Sequence, residues 1–266
     1  MKRKGERDVR MRPIPDYLYH YTSLETLALI LKNRTIRFNS LKNMDDAEEV
    51  ITANSPYLGK YCFVSSWTTD EESIPIWNLY TESMKGVRIK LKSYPFKKRK
   101  ARLSFYGNGM EFETYFPEEL LKHDKLYPYP TVPFLREVEY TDDDTKIFPN
   151  IITELSRNAN NTFNATANFN DINRYKRKKW DFLEEWRYSM VLLPHNERGG
   201  LTLDLTESGN DMPFWHYDLK MDEDALKEIE IMTGPKMGLG DKILLRCLVE
   251  KYCPTATIVE SKLKIK

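Results

Sequence analysis

Apolar residues recur along this chain with two periods, one typical of helices and one typical of strands. Helical spacing is clearest in residues 24–31, where Leu24, Leu27 and Leu31 fall on one face, and in residues 241–252. Strand-like runs occupy residues 17–21, 35–39, 61–67, 87–91, 135–140, 186–193, 229–232 and 257–263. Because most of these strands have hairpin-type neighbours, the pattern predicts an α+β fold: a mixed, mostly antiparallel sheet with flanking helices.

Residues that start and stop elements add four local predictions. Thr22 and Glu25 form a capping-box pattern, which predicts that Thr22 caps the first helix. Pro75 fits the first turn of a helix over residues 76–84, which Gly86 would end. Residues 127–133 contain three prolines, so they are expected to be extended or loop. Residues 186–193 and 200–205 are predicted to pair as a β-hairpin.

Size and composition bound the class of protein. At 266 residues and 41% hydrophobic, the chain can bury a large core, and we predict a basic leader over residues 1–14 and a single α+β domain over residues 15–266. The 41 basic and 40 acidic side chains nearly cancel, so net charge indicates no polyanionic partner. The leader lacks the apolar stretch of a secretion signal, and no segment reaches the roughly 18 apolar residues of a membrane helix. With three cysteines and no Cys-x-x-Cys pair, the sequence predicts a cytoplasmic protein without a membrane partner.

Two short segments place ionisable side chains at the ends of predicted strands. His20 lies between two tyrosines just before a helix, where a neutral imidazole could bond a sugar hydroxyl; the alternative is a histidine packed in a strand. Glu185 and Arg187 are two residues apart and share one face of the strand that begins there. The arginine would keep the carboxylate ionised and able to stabilise positive charge. The alternative is an ion pair between two exposed strand residues.

Other charged segments suggest less specific sites. Two basic runs with aromatic neighbours resemble small nucleic-acid patches, although solvated surface is the alternative for a nearly neutral chain. Their candidate phosphate contacts are Lys97, Lys98, Arg99, Lys176, Arg177 and Lys178. The acidic segment 45–49 offers oxygen ligands to a divalent cation, but it lacks the spacing and the glycine of a calcium loop. A solvated turn is therefore favoured, and no metal site is predicted.

Together these stretches resemble a bacterial family defined as domain of unknown function 2971. Its pattern combines a Tyr-His/Lys-Tyr opening, an acidic turn, a Ser-rich strand, a Trp-x-x-Tyr helix and a Trp-x-x-Glu-x-Glu-aromatic-Arg segment. The matching stretches are Tyr19 to Tyr21, Met44 to Glu49, Phe63 to Ser66, Trp77 to Tyr80, Val138 to Tyr140, Trp180 to Arg187 and Ile229 to Lys236. Leu183 and Met44 depart from the pattern, which has Glu and Asn there. Glu185 and Asp46 are then the carboxylates expected to act.

The order of a strand-end histidine, hydroxyl or aromatic residues and a late-strand glutamate also resembles the ADP-ribosyltransferase superfamily. That resemblance implies a split sheet that binds NAD as substrate, with His20 contacting the ribose and Glu185 stabilising an oxocarbenium-like transition state. The resemblance leaves the stacking residue and the middle site residue open. The implied binding residues are Tyr21, Trp77 or Tyr80 for stacking, Ser65 or Ser66 for the middle position, and Thr22 and Arg187 beside them.

Three functions follow as hypotheses. The leading one is an ADP-ribosyltransferase-like enzyme of bacterial defence or toxin type, which cleaves the nicotinamide–ribose bond of NAD and modifies a nucleic-acid or protein acceptor, or transfers ADP-ribose to water. The second is a non-catalytic module that senses a nucleotide or a phage component. The third is a metal-dependent nuclease, which would need Asp45, Asp46 or Glu48 to converge with Glu185.

Overall fold

The computed structural model describes residues 12–102, 111–118, 126–157, 163–196, 202–204 and 212–265. Its strands are β1 (Tyr17–Thr22), β2 (Thr35–Ser40), β3 (Cys62–Thr68), β4 (Val87–Lys92), β5 (Arg99–Arg102), β6 (Glu111–Thr114), β7 (Leu126–Glu137), β8 (Glu139–Tyr140), β9 (Ile152–Arg157), β10 (Phe163–Ala167), β11 (Tyr175–Lys176), β12 (Glu185–Pro194), β13 (His216–Lys220), β14 (Glu230–Thr233) and β15 (Thr257–Glu260). Its α-helices are α1 (Leu24–Asn33), α2 (Ile74–Tyr80), α3 (Asp144–Ile147), α4 (Glu223–Lys227) and α5 (Leu239–Tyr252). Short 3-10 turns occupy Leu41–Asn43, Ala47–Val50, Leu58–Tyr61, Phe169–Asp171 and Lys178–Leu183.

Nine of the strands form one open, mostly antiparallel sheet, so the predicted mixed class with a mostly antiparallel sheet is confirmed. The strands run in the order β13-β2-β3-β1-β4-β14-β15, with β12 paired to β3 and β7 paired to β12. Within this sheet β14 and β15 are parallel, and the other pairs are antiparallel. No helix in the described part of the chain is long and apolar enough to cross a membrane.

Strand β3 has a different arrangement on each of its edges. On one edge, β12 pairs with it along its whole length. On the other edge, β2 pairs only with residues 63 and 64, and β1 pairs only with residue 68. Strands β1 and β2 therefore diverge beside residues 65–67 of β3. We call this opening the β1–β2 gap.

Two apolar clusters hold the sheet and its helices together. The larger one joins Leu27 and Leu31 of α1 to the sheet and to Leu245 and Val249 of α5. Each of these side chains is buried, which stabilises the fold by about 1.5–3 kcal/mol per large apolar residue. A second, smaller cluster is formed by Tyr21, Ile76, Trp77, Met84, Leu183 and Met232.

The cap of α1 differs by one residue from the prediction. Thr22 is the last residue of β1 and lies opposite Val87 of β4, so it belongs to the strand ladder. Ser23 is the N-cap, and its hydroxyl accepts a hydrogen bond from the Thr26 amide at 3.0 Å. The capping-box prediction was therefore wrong in its register, because the long β1–β4 pairing extends through the residue that local pattern assigned to the cap.

Helix α2 is shorter than predicted. It ends at Tyr80, not at Met84, because residues 82–84 all have positive φ and form a turn. The Gly86 amide then donates to the Thr81 carbonyl at 2.8 Å. A Cβ on Gly86 would lie 2.2 Å from the Thr22 carbonyl oxygen, so close approach of two backbones requires glycine here.

The late strands pair differently from the predicted hairpin. Strand β12 confirms the strand over residues 186–193, but its partners are β3 and β7. Residues 202–204 are not in a strand, and residues 200, 201 and 205 of the predicted second arm lie outside the described residues. The proline-containing residues 127–133 form part of β7, which bonds β12 on one edge in the described residues. Proline is tolerated there because an edge strand has amides that need no sheet partner.

Candidate functional site

A cavity of about 460 Å³ opens at the β1–β2 gap, within the size range of small-molecule sites. Strands β1, β2 and β3, helix α1 and the loop at residues 43–46 supply most of its lining. The sequence-predicted residues that line it are His20, Tyr21, Thr22, Ser65, Ser66, Tyr80, Lys176 and Glu185. The predicted site residues outside the lining are Trp77, Lys97, Lys98, Arg99, Arg177, Lys178 and Arg187.

The strand register puts His20 and Glu185 on opposite sides of the sheet. Glu185 lies opposite Thr68, and Thr68 lies opposite Tyr19, so these three side chains share a face. His20 follows Tyr19 and points to the other face, where its ring lies 5.1 Å from that of Trp67. The cavity reaches both side chains because β1 leaves β3 at this point.

The His20 side chain bonds β3 at a position where no described strand pairs with this edge of β3. Its Nδ1 lies 3.0 Å from the carbonyl oxygen of Ser66, on the edge of β3 that faces the gap. A carbonyl can only accept, so this bond assigns the proton to Nδ1 and leaves Nε2 as an acceptor. Burial lowers the pKa of His20, although the bond to Ser66 opposes this, so the ring is neutral at neutral pH.

Glu185 belongs to a buried group of two carboxylates and two cations. Arg187 donates from Nε to Glu185 Oε1 at 2.6 Å and from Nη2 to Glu49 Oε1 at 2.7 Å. Lys176 Nζ lies 3.1 Å from Glu49 Oε1 and 3.3 Å from Glu185 Oε2. All four side chains are buried and their formal charges cancel. We call Glu49, Lys176, Glu185 and Arg187 the four-charge cluster.

The cluster keeps Glu185 ionised. Burial alone would raise the pKa of its carboxyl, but the charges of Arg187 and Lys176 outweigh burial and hold the pKa below its ordinary value. The pKa of the Tyr80 hydroxyl is shifted upward, in contrast, because burial and the negative charges of Glu185 and Asp45 all raise it. Tyr80 therefore stays protonated and can donate a hydrogen bond.

The aromatic residues divide into structural and cavity-facing groups. Trp77 is fully buried and meets the ring of Tyr21 edge-on at 4.8 Å, so it contributes to packing and does not face the cavity. The Tyr21 hydroxyl donates to the Asp70 carbonyl at 3.1 Å and accepts from the Ser73 amide at 3.0 Å, which ties β1 to the start of α2. Tyr80 lines the cavity with 36% of its surface exposed, as a stacking residue requires.

The hydroxyls of β3 surround the gap. Ser65 Oγ accepts from the Trp67 Nε1 at 3.1 Å, which orients the indole ring on the face of His20. Ser66 lies opposite Arg187 in the β3–β12 ladder, and its carbonyl holds His20. The middle site position stays open between the two serines, because both line the cavity.

Two members of the second basic run are held by carboxylates of the protein, whereas Lys178 is exposed. Lys176 is buried in the four-charge cluster, because Glu49 and Glu185 surround its ammonium group. Arg177 binds Glu48 with its Nη2 at 3.0 Å and Asp144 with its Nη1 at 2.7 Å. The other predicted phosphate contacts lie outside the cavity. Of these, Lys178 is 3.4 Å from Asp142 and Lys98 is 3.9 Å from Glu113. Arg99 is the first residue of β5, and Lys97 precedes that strand.

The acidic segment is divided among different roles. Asp46 caps the 3-10 turn that follows it and accepts from the Glu48 amide at 3.2 Å. Glu48 binds Arg177 and Glu49 belongs to the four-charge cluster, whereas Asp45 is exposed and lines the cavity. In the described ranges, no group of three or more His, Cys, Asp or Glu side chains is placed to hold a metal ion.

Sequence reasoning missed one polar row of the site. Thr35, Arg37 and Asn39 alternate along β2 and all three line the cavity. The alternation of polar and apolar residues in this strand was the available signal, since residues two apart share a face. Glu49 was considered only as a metal ligand, although its partner Arg187 was already a candidate.

Comparison with known proteins identifies no neighbour. No family model matches the chain, and no curated protein or solved structure matches it. The resemblances to domain of unknown function 2971 and to the ADP-ribosyltransferases therefore stay predictions.

Proposed function

We propose that this protein is an ADP-ribosyltransferase-like enzyme that binds NAD in the cavity and cleaves its nicotinamide–ribose bond. The observation that supports this proposal is that one cavity, at an opening in the sheet, combines a neutral His20 with an ionised Glu185. The acceptor of ADP-ribose is water or a macromolecule, either nucleic acid or protein. A role in bacterial defence or as a toxin is part of the same proposal.

The chemistry asks little of the protein beyond position and charge. When the glycosidic bond breaks, its electron pair leaves with nicotinamide, and positive charge develops on the ribose. The carboxylate of Glu185 offsets that charge, and the acceptor oxygen then bonds the anomeric carbon and loses its proton. His20 Nε2 accepts a hydrogen bond from a ribose hydroxyl, and the Tyr80 ring covers the nicotinamide.

The same geometry also supports a non-catalytic nucleotide-binding module. Lys176 and Arg187 both bind Glu185, so much of its negative charge is already compensated. A compensated carboxylate can orient a ribose hydroxyl without accelerating bond cleavage. The contacts of Glu185 with Lys176 and Arg187 therefore favour this second function.

Turnover of NAD by the purified protein tests the proposal. We expect nicotinamide to appear in the solution, faster when RNA, DNA or protein acceptors are present. NAD binding without nicotinamide release would overturn the enzyme and favour the binding module. Absence of both binding and release would overturn the enzyme, and the binding module would then be tested with other nucleotides.

His20 offers a milder prediction. The change His20→Phe keeps a ring beside Trp67 but removes Nε2, so we expect NAD affinity to fall about 3- to 10-fold, the effect of one neutral hydrogen bond. Because the pKa of His20 is lowered, the wild-type affinity should not titrate through this group above about pH 6.5. Calorimetric titration measures both effects. His216→Phe is the control, because His216 is exposed and lies outside the cavity lining; equal losses in the two variants would contradict the role of His20.

A further inference from the structure

The cavity has a polar end at β2 that the proposed chemistry does not use. Thr35, Arg37 and Asn39 project from one face of this strand, while Ile36 and Phe38 between them are buried in the core. Arg37 is held by Asp218 on β13, with Nε at 2.8 Å from Oδ1 and Nη2 at 3.0 Å from Oδ2. All of the polar members, including Asp218, line the cavity.

Arg37 is the cation that an anionic ligand can reach. Among the described residues that line the cavity, the lysines and arginines are Arg37 and Lys176. Lys176 is buried between two carboxylates, so it has no charge to offer without breaking the four-charge cluster. Arg37 has one carboxylate partner, and 47% of its side chain is exposed. An exposed pair of this kind is weak and exchanges readily for another anion.

The geometry of Arg37 suits a phosphate. The bidentate arrangement with Asp218 shows that the guanidinium already presents two parallel N–H groups to one anion. A phosphate offers the same pair of oxygens. Thr35 and Asn39 add a hydroxyl and an amide donor on each side of the guanidinium. Carboxylates elsewhere in the lining would repel a phosphate; these are Asp45, Asp46 and Glu185.

The polar row lies on the same face of the sheet as Glu185. Asn39 lies opposite Val64 on β3, and Val64 lies opposite Ser189 on β12, which is an even number of residues from Glu185. Two strand spacings separate β2 from β12, about 10 Å in a regular sheet and more across the gap. A ligand that reaches both ends is therefore extended, as a ribose joined to a diphosphate is.

We propose that Thr35, Arg37 and Asn39 form a phosphate-binding site for a nucleoside diphosphate, with Asp218 holding Arg37 until a phosphate replaces it. The site deepens the proposed function, since it would bind the diphosphate of NAD while Glu185 faces the ribose. Phosphate binding itself requires no bond cleavage. It can therefore be tested with ligands that lack nicotinamide.

Two variants should change affinity in opposite directions. Arg37→Gln removes the guanidinium and is expected to weaken ADP-ribose and ADP by about tenfold or more, as for a charge-assisted bond pair. Asp218→Asn removes the competing anion and is expected to tighten both ligands severalfold. Adenosine, which has no phosphate, should bind all forms alike. Isothermal titration calorimetry gives the dissociation constants, and thermal unfolding checks that each variant is folded.

The control is the matched exposed pair between Arg34 and Glu223, which lies outside the cavity lining. Glu223→Gln should leave ADP-ribose affinity unchanged. The phosphate site is overturned if the wild type does not bind ADP-ribose, if Arg37→Gln binds it equally well, or if Asp218→Asn binds it more weakly. If ADP-ribose affinity depends on Arg37 but no nicotinamide is released, the proposed enzyme activity is overturned and the phosphate site is not. If nicotinamide is released but ADP-ribose affinity does not depend on Arg37, the phosphate site is overturned and the enzyme activity is not.

Discussion

Replacing Glu185 with glutamine is expected to lower the rate of nicotinamide release by about 10²- to 10³-fold, the effect typical of removing one group that stabilises transition-state charge. Glutamine has nearly the same shape, so NAD should still bind with an affinity within a few-fold of the wild type. The measurement is single-turnover release of nicotinamide beside calorimetric NAD binding. Wild-type turnover by the variant would contradict the role of Glu185.

This variant needs a control because it also changes the four-charge cluster. Glu49→Gln removes the same charge from the same cluster, but Glu49 lies outside the cavity lining. Both variants leave one excess positive charge buried, and each should lose on the order of 3 kcal/mol of unfolding free energy. Release should fall at least tenfold further in Glu185→Gln than in Glu49→Gln. Equal losses of activity would show that the charge balance of the cluster, and not the cavity-facing carboxylate, supports turnover.

Replacing Arg187 with leucine should have the largest effect on stability. Arg187 is fully buried and binds both Glu49 and Glu185, so its loss leaves two buried carboxylates with Lys176 as their remaining partner in the cluster. Breaking a buried ion pair on one side costs about 3–5 kcal/mol. Urea unfolding at neutral pH measures this loss. A change below about 1 kcal/mol would contradict the structural role of the cluster.

The pH dependence of this variant should have the opposite sign from that of the wild type. In the wild type the pKa of Glu185 is lowered, so its contribution to stability is present above about pH 4.3 and is lost as pH falls further. In Arg187→Leu, burial without the guanidinium should raise the pKa of the Glu185 carboxyl above its unfolded value. The folded variant then binds protons more readily, and its stability should rise as pH falls from about 7 to about 5.

Arg88→Leu is the matched control for this pH effect. Arg88 is also fully buried, but its partners Glu71 and Glu230 are 62% and 25% exposed. Those carboxylates can regain water, so the stability of this variant should change little over the same pH range. Parallel pH profiles for the two variants would contradict the assignment of the effect to Glu185.

The helices and strands that the nearby sequence determines could be predicted. The features that depend on contacts with residues far apart in the chain could not. Strands β1 to β4 and helices α1 and α5 follow from apolar spacing, because burial of one face decides them. The cap at Ser23 was missed because the β1–β4 ladder continues through Thr22. The pairing of β12 with β3 and β7 joins segments far apart in the chain, and no turn signal encodes such a pairing.

The site was predictable in part for the same reason. The Glu185–Arg187 pair was readable because the two residues are adjacent on one strand face. Lys176 was predicted to be a phosphate contact in a basic run, with solvated surface as the alternative, since the carboxylate of Glu49 that helps to bury it comes from a remote turn. Sequence spacing cannot show that four charges from three segments meet in the interior. The polar row of β2 was visible in the alternation of polar and apolar residues. Its place in the site could not be predicted, because the sequence does not show that β2 borders a gap in the sheet.

The prolines of β7 have a consequence for the behaviour of this protein at high concentration. In the described residues, β7 borders the sheet beyond β12, and an unpaired border strand is a template on which another chain can add a strand. Pro128, Pro130 and Pro133 have no amide hydrogen to donate. A strand added to this edge would therefore form a weaker ladder of hydrogen bonds. Proline on a border strand disfavours edge-to-edge aggregation at this side of the sheet.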